Sequence, residues 1–392
     1  MRPGGGFVMR PLLPSHALRP ADGSPPPVTV TASRPGATFQ ETDPWMQIRG
    51  MMYLREPTVH FQLRGESLVT GDTVTITLGD ESNPFTMQSQ SNDRVIVPVY
   101  VDYDGSGTLV TPAWPSWEVI GQPNPSSVSA VAPSIVGIDE AFDVAIRTED
   151  PYENVISGTA PAYTITLGDR TIADVPAGRA GLHVLQGPPI QEPGIYRYRI
   201  VMGDLSCESN PIWVKPDVDD RIFWGDTHGH TGFAEGQGTP DGYYEFARNV
   251  ARLAFISLSE HDIWMDDWEW NQLAEMTRKH MVPGAFTPIL GYEWTARSPV
   301  GGHHNVFFRT PENRTRVPMQ ETLDLANLYA GLDALYESDE VLVIPHAHQA
   351  GDWTRSSPGV ERLTEITSSH GTFEHFGNNY VRNGFEVGFL GS

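Results

Sequence analysis

The run FWGDTHGHTGFAE, from Phe223 to Glu235, holds His228 and His230 two positions apart. On an extended strand residues i and i+2 share a face, so the two imidazoles stand side by side, an arrangement that suits a metal ion. A His-x-His is weak on its own, and its company strengthens it: Glu260-His261-Asp262, then Glu293, then His303-His304, then His346 and His348 follow along the chain. Taken singly, each histidine also reads as a half-buried residue bonded to backbone, and each carboxylate as a helix N-cap. Taken together they supply imidazole and carboxylate donors without sulfur, because Cys207 is the one cysteine. Such a set fits zinc, manganese or iron, commonly as two or three divalent ions bridged by a carboxylate. Ions so paired lower the pKa of a shared water and grip a phosphoryl group from both sides.

These side chains need elements that carry them to one place. From Asp217 onward, β-like runs at Ile222 to Trp224, Leu253 to Leu258, Thr287 to Gly291, Asn305 to Phe308 and Val341 to Ile344 alternate with helix-like stretches at Gly242 to Asn249, Trp264 to His280 and Leu323 to Tyr336. The alternation predicts parallel β/α units in a barrel or doubly wound sheet, where ligands gather at the carboxyl ends of strands. His228 and His230 follow the first strand, Glu260 to Asp262 the second, Glu293 the third, and His346 and His348 the last. His303 and His304 stand at the mouth of a strand instead.

Ahead of this region, residues 1–27 are rich in Pro, Gly and Arg without periodicity, which predicts a disordered leader. Residues 28–122 and 123–216 show short alternating runs between Gly, Asp, Asn and Pro turns, the texture of two immunoglobulin-like β-sandwich domains. The hexapeptide TITLGD occurs at Thr75 to Asp80 and again 89 positions later at Thr164 to Asp169, and each block closes on a strand containing Trp117 or Trp213. The second sandwich is therefore predicted to repeat the first. Both are expected to serve as spacers, or to present exposed aromatics such as Trp114 to a polysaccharide or protein partner. With 49 acidic against 26 basic residues, a formal charge of -23, the chain argues against nucleic acid and anionic membrane as partners. No run suits a signal peptide or a membrane span, which predicts a cytoplasmic protein, a secreted or periplasmic one staying open.

The order His-x-His, five residues to an acid, Ser-Glu-His-Asp, Gly-Tyr-Glu, His-Asn-Val-Phe and Ile-Pro-His resembles the polymerase and histidinol phosphatase (PHP) superfamily of metal-dependent phosphoesterases. The phrases GDTHGHT, GYEWT, GGHHNVFF, IPHAHQAGDW and EITSSHGTFE resemble, more narrowly, its branch known as domain of unknown function 3604. The likeness runs from about Arg221 to the C-terminus. It implies a distorted seven-stranded β/α barrel over residues 217–392 with a trinuclear centre. His228 and His230 would hold the first metal, Glu293 would bridge it to the second, His304 and His346 would complete the second, and Glu235 and His261 would hold the third. His304 is preferred to His303, and His346 to His348, by spacing to the following run. Glu260 stands where the family usually has Asp and is expected to orient His261. Glu365, His370 and Glu374 match the branch pattern without an assignable role. The family closes its site with Asp-x-His after a late strand; Glu386 to Leu390 reads as that strand, and this sequence stops at Ser392. The expectation is a truncated barrel, whose first and third metals bind weakly unless other residues replace the missing ligands, leaving this polypeptide inactive.

The predicted reaction is hydrolysis of a small-molecule phosphate ester by a metal-bridging hydroxide. His348 or His370 would protonate the leaving group. Glu260 would stand beside the centre. Arg297 and Arg355 either fork substrate oxygens or are ordinary surface arginines. Two rivals stay open: the same hydroxide acting on an amide, lactone, sulfate or phosphotriester, and a non-catalytic binding protein whose barrel is a vestige.

Overall fold

The computed structural model describes residues 1–9, 27–42, 59–85, 87–97, 99–110, 112–113, 115–234, 236, 238–296, 301–350, 352, 354–368 and 371–391, without the side chains of 8–9, 96, 347–350 and 376. The chain is β-rich and multidomain, and separates into two compact units, Met1–Gly121 and Gln122–Ser392. Among the described residues no helix is long and apolar enough to cross a membrane.

In the first unit the strand Gly6–Met9 pairs antiparallel with Val59–Gly65 on one side and Val99–Asp102 on the other. Phe7, Phe61, Val97, Val99 and Val101 form its core. This corrects the expected leader: residues 6–9 are a central strand. Four residues are too few to show a period of two, and Gly6 hides the strand further, since a Cβ there would lie 2.2 Å from the Phe61 carbonyl oxygen. The rest of the expected leader, 10–26, and Trp114 lie outside the described residues.

The second unit begins with a β-sandwich-like block. Phe142–Glu149 pairs antiparallel with Ser127–Val131 and Leu182–Gly187, and Tyr163–Leu167 pairs with Arg170–Val175 and Tyr198–Met202. Val144, Ile146, Ile165, Tyr198, Ile200, Ile212 and Val214 close one core between them. The TITLGD copies occupy different settings: the first lies on Val74–Leu78, paired with Val28–Ala32, and the second has a strand on each side.

A curled sheet follows, in the order β1 (Gly225–Asp226), β2 (Phe255–Leu258), β3 (Thr287–Thr295), β4 (Gly302–Phe308), β5 (Val341–Ala350). The first three are parallel, whereas β4 runs antiparallel to both neighbours. Six residues separate β3 from β4, too few for a crossover helix, so the chain turns straight back and the predicted β/α alternation breaks there. β6 (Leu363–Ser368) adjoins β5 and pairs in parallel with β7 (Gly388–Gly391). Ile222, Phe223 and Trp224, expected as a buried first strand, are 51%, 63% and 63% exposed and precede β1. Helix α1 (Pro240–Glu245) starts at the Thr239 cap, and α2 (Asp267–His280) starts at a capping box made by Asp266 and Glu269. Trp270, Leu273 and Ala274 of α2 join Leu258, Leu290, Tyr292, Val306 and Phe308 in the core under the sheet.

Candidate metal centre

Because β4 is reversed, its beginning lies at the rim where β1, β2 and β3 end, and the suspicious side chains meet there. Asp226 Oδ1 accepts the His228 backbone N–H at 2.9 Å, which turns the chain out of β1. The loop is tied to the end of β2: the Ser259 N–H donates to the Gly229 oxygen at 2.9 Å, and Thr231 donates its N–H, at 2.8 Å, and its hydroxyl to Glu260 Oε1. A Cβ at position 229 would lie 2.1 Å from the Tyr243 hydroxyl, so any side chain there would displace the Tyr243 ring. The His261 stretch then runs beside β3, with Glu293 N–H on the Glu260 oxygen and Asp262 N–H on the Glu293 oxygen, each 2.9 Å.

Glu293 is the hub. Its Oε2 lies 3.4 Å from each of His228 Nε2, His230 Nε2 and His261 Nδ1, and its Oε1 is 2.7 Å from His303 Nδ1. Two donor triads share this carboxylate, His228 with Glu293 and His346, and His230 with His261 and Glu293; within each the donor atoms lie within 4.8 Å of one another. Donors held tetrahedrally by one ion at about 2.1 Å are about 3.4 Å apart, so this spacing fits a metal ion. Glu293 Oε2 is buried and has no hydrogen bond among the described residues, which leaves a lone pair for a cation.

Among the described residues, no arginine or lysine pairs with the carboxylates concentrated here. Burial would raise Glu293, yet the imidazoles of His261 and His303 hold its carboxyl well below the usual range. Burial also opposes charge on His228, but Glu293 and Glu365 push its pKa up to about 10. Burial lifts Glu260 to about 7 in spite of the Thr231 hydrogen bonds. Asp262 is lifted to about 6 by burial and accepts the Thr295 and Met319 backbone N–H groups, so it stitches loops together.

Of the residues singled out from sequence, His228, His230, His261, Glu293 and His346 converge. His304 does not, and this corrects the preferred ligand. The register pairs Trp294 with His304 and Thr295 with His303, so His304 shares the core face of Trp294, while His303 shares the face of Glu293 and Thr295. Burial pushes His304 down to about 3. Glu260, expected to orient His261, has its Oε2 3.9 Å from His230 Nδ1, and His261 Nδ1 meets the Thr295 hydroxyl at 2.7 Å. Arg355 is exposed and paired with Asp352 at 2.9 Å. Glu235, Arg297, His370 and the side chain of His348 lie outside the described residues.

Two residues without a predicted role belong to the cluster. Asn305 Nδ2 is 3.2 Å from His228 Nδ1. Glu365, on β6, reaches His346 Nδ1 at 2.7 Å and His228 Nδ1 at 3.1 Å. Burial works against its charge, but the bonds to His228 and His346 pull its pKa to about 2. A parity count would have found His303, because His304 shares its parity with the core residues Val306 and Phe308.

Residues 244–352 match the family described as Protein of unknown function (DUF3604). That stretch holds His261, Glu293, His303 and His346, while His228, His230 and Glu365 lie outside it. Two relatives described as uncharacterized proteins, from Chlamydia trachomatis serovar D and Chlamydia muridarum, are each 25% identical over 225 residues, covering 53% of this chain and 35% of their own length. Among solved structures, a glycosyl hydrolase family 2 member from Bacteroides cellulosilyticus is similar at 12% identity and a TM-score of 0.23, over 55% of this chain and 28% of that one. The CARDB domain of a Pyrococcus furiosus protein, in complex with di-metal ions, is similar at 12% identity and a TM-score of 0.17, over 24% of this chain and 92% of that one.

Proposed function

We propose that the region from about Asp217 is a metal-dependent hydrolase of small-molecule phosphate esters related to the PHP superfamily, its strands β1 to β7 belonging to a distorted β/α barrel. The observation that supports this best is Glu293 Oε2, 3.4 Å from Nε2 of both His228 and His230, which the loop after β1 delivers. In this reading His228, Glu293 and His346 hold one divalent ion, and His230, His261 and Glu293 hold another; zinc, manganese or iron suits the nitrogen and oxygen donors. Bound ions supply an activated water and draw charge from phosphoryl oxygens.

The chain's own residues prepare the site. Thr295 fixes the His261 ring, Glu260 stands behind His230, and His303 on Oε1 keeps the Glu293 carboxylate from swinging. The three are buried, so bulk water is kept from the back of the centre. Glu235 as a further ligand, Arg297 as a substrate contact and His348 or His370 as proton donor keep the roles that the resemblance implies. The sandwich-like blocks act as spacers or partner-binding modules.

The protein loaded with zinc, manganese or iron is to be assayed on aryl phosphate mono-, di- and triesters beside aryl sulfates and carboxyl esters, with metal content measured on the same sample. The expected result is fastest turnover of a phosphate ester with more than one ion per chain. Faster turnover of a sulfate or carboxyl ester sinks the phosphate reading. Retention of well below one ion per chain sinks the metal centre itself and leaves a binding protein.

A further inference from the structure

We infer that Glu365 is a positioning residue that sets two metal-binding imidazoles at once, its single carboxylate holding Nδ1 of both His228 and His346. The inference rests on the reading of the His/Glu cluster as a metal centre and adds a residue that the sequence motifs leave without a role. The two oxygens divide the work: Oε1 lies 2.7 Å from His346 Nδ1, and Oε2 lies 3.1 Å from His228 Nδ1. Glu365 is 1% exposed, and no arginine or lysine pairs with it among the described residues. An ionised carboxylate accepts hydrogen bonds and donates none, so both Nδ1 atoms carry protons, and the Asn305 amide, 3.2 Å from His228 Nδ1, must turn its oxygen rather than its NH2 toward that ring. In a neutral ring the lone pair is then on Nε2. For His228 that nitrogen is the one 3.4 Å from Glu293 Oε2, on the far side of the ring from Glu365. Both rings belong to the same donor triad, so one carboxylate fixes tautomer and orientation for two of its three ligands.

The other triad is served differently. The Thr295 hydroxyl meets His261 Nδ1 and Glu260 Oε2 lies 3.9 Å from His230 Nδ1, and among the described residues neither bonds to Glu365. Loss of the Glu365 charge therefore acts on one ion and spares the other. In Glu365→Gln the amide accepts from one ring but donates to the other, which moves that ring's proton to Nε2 and removes its ligand lone pair.

The test uses zinc(II) and cobalt(II) as probes. Zinc affinity is measured by competition with a fluorescent chelator, and the cobalt visible spectrum reports ligand number. Glu365→Gln is expected to weaken one zinc about 10- to 100-fold, leave the other unchanged, and alter the cobalt bands. Glu365→Asp, which keeps the carboxylate, is expected to restore most of the affinity and the wild-type bands. Wild-type protein with 15N-labelled histidine and bound zinc gives a readout independent of any variant: His228 and His346 should ligate through Nε2 with the proton on Nδ1. Ligation through Nδ1, or equal zinc affinity and cobalt spectra in wild type and Glu365→Gln, overturns this inference and leaves the hydrolase reading standing. Wild type that takes up no zinc overturns both.

Discussion

The sandwich-like block of residues 127–215 and the sheet β1 to β5 both bury acids, and they serve them differently. In the block, Asp150 is closed around by the Gln122 N–H at 2.9 Å, the Tyr152 N–H at 2.8 Å and the Asn154 amide at 3.0 Å, and Glu149 by the Ser129 hydroxyl at 2.8 Å and Arg147 at 3.1 Å. Folding alone satisfies these carboxylates. At the rim of the sheet, Glu293 and Glu365 are met by imidazoles of His228, His230, His261, His303 and His346. An imidazole can serve a carboxylate with one ring nitrogen and present the other to a cation, as the proposed metal centre requires.

The sharpest way to break this contrast is Glu293→Gln. Both triads lose their shared anion, and zinc affinity should fall about 100- to 1,000-fold, the scale of removing one partner of a buried charge pair; unchanged affinity in a chelator competition would end the argument for a metal centre. The matching change in the block is Ile200→Ala, at a fully buried position. It should cost about 2–5 kcal/mol in denaturant unfolding of the block and leave zinc affinity alone; a parallel loss of affinity would mean that block and sheet unfold as one.

Glu361 sharpens the comparison with a third kind of buried acid, one that faces the Tyr329 hydroxyl and no imidazole. Burial raises it from 4.5 to about 7. Between those values the folded form keeps a proton that the unfolded chain has lost, so stability falls as pH rises, by up to about 1.4 kcal/mol per pH unit. Glu361→Gln should flatten that slope in urea titrations at pH 5 to 7; an unaltered slope would assign it to other groups. The smallest effect belongs to Arg355→Ala, which breaks an exposed pair and should move stability by less than about 0.5 kcal/mol with no change in KM for the best aryl ester. A large rise in KM would restore Arg355 to the substrate site.

The convergence of His228, His230, His261, Glu293 and His346 was legible because strand-end placement is a local property, visible as apolar runs followed by polar donors. The reversal of β4 was not. A period-two run carries no direction, although its parity, with Val306 and Phe308 in the core, does tell His303 from His304. Glu365 was hidden for another reason: it comes from β6, and no spacing announces which carboxylate will lie beneath two imidazoles. The triplet Ile222 to Trp224 is apolar without being buried, and Trp224 sits exposed with its indole N–H on the Ser134 hydroxyl at 2.8 Å.

The hairpin of β3 and β4 brings Glu293 to His303 across ten positions, while His228 finds Glu365 across 137. Closing the longer loop costs roughly 2 kcal/mol more chain entropy. A nascent chain can thus assemble the Glu293 side of the rim as soon as the hairpin forms, whereas the His228 side waits for strands made much later. The half that Glu365 completes should be the last to close during folding and the first to come apart.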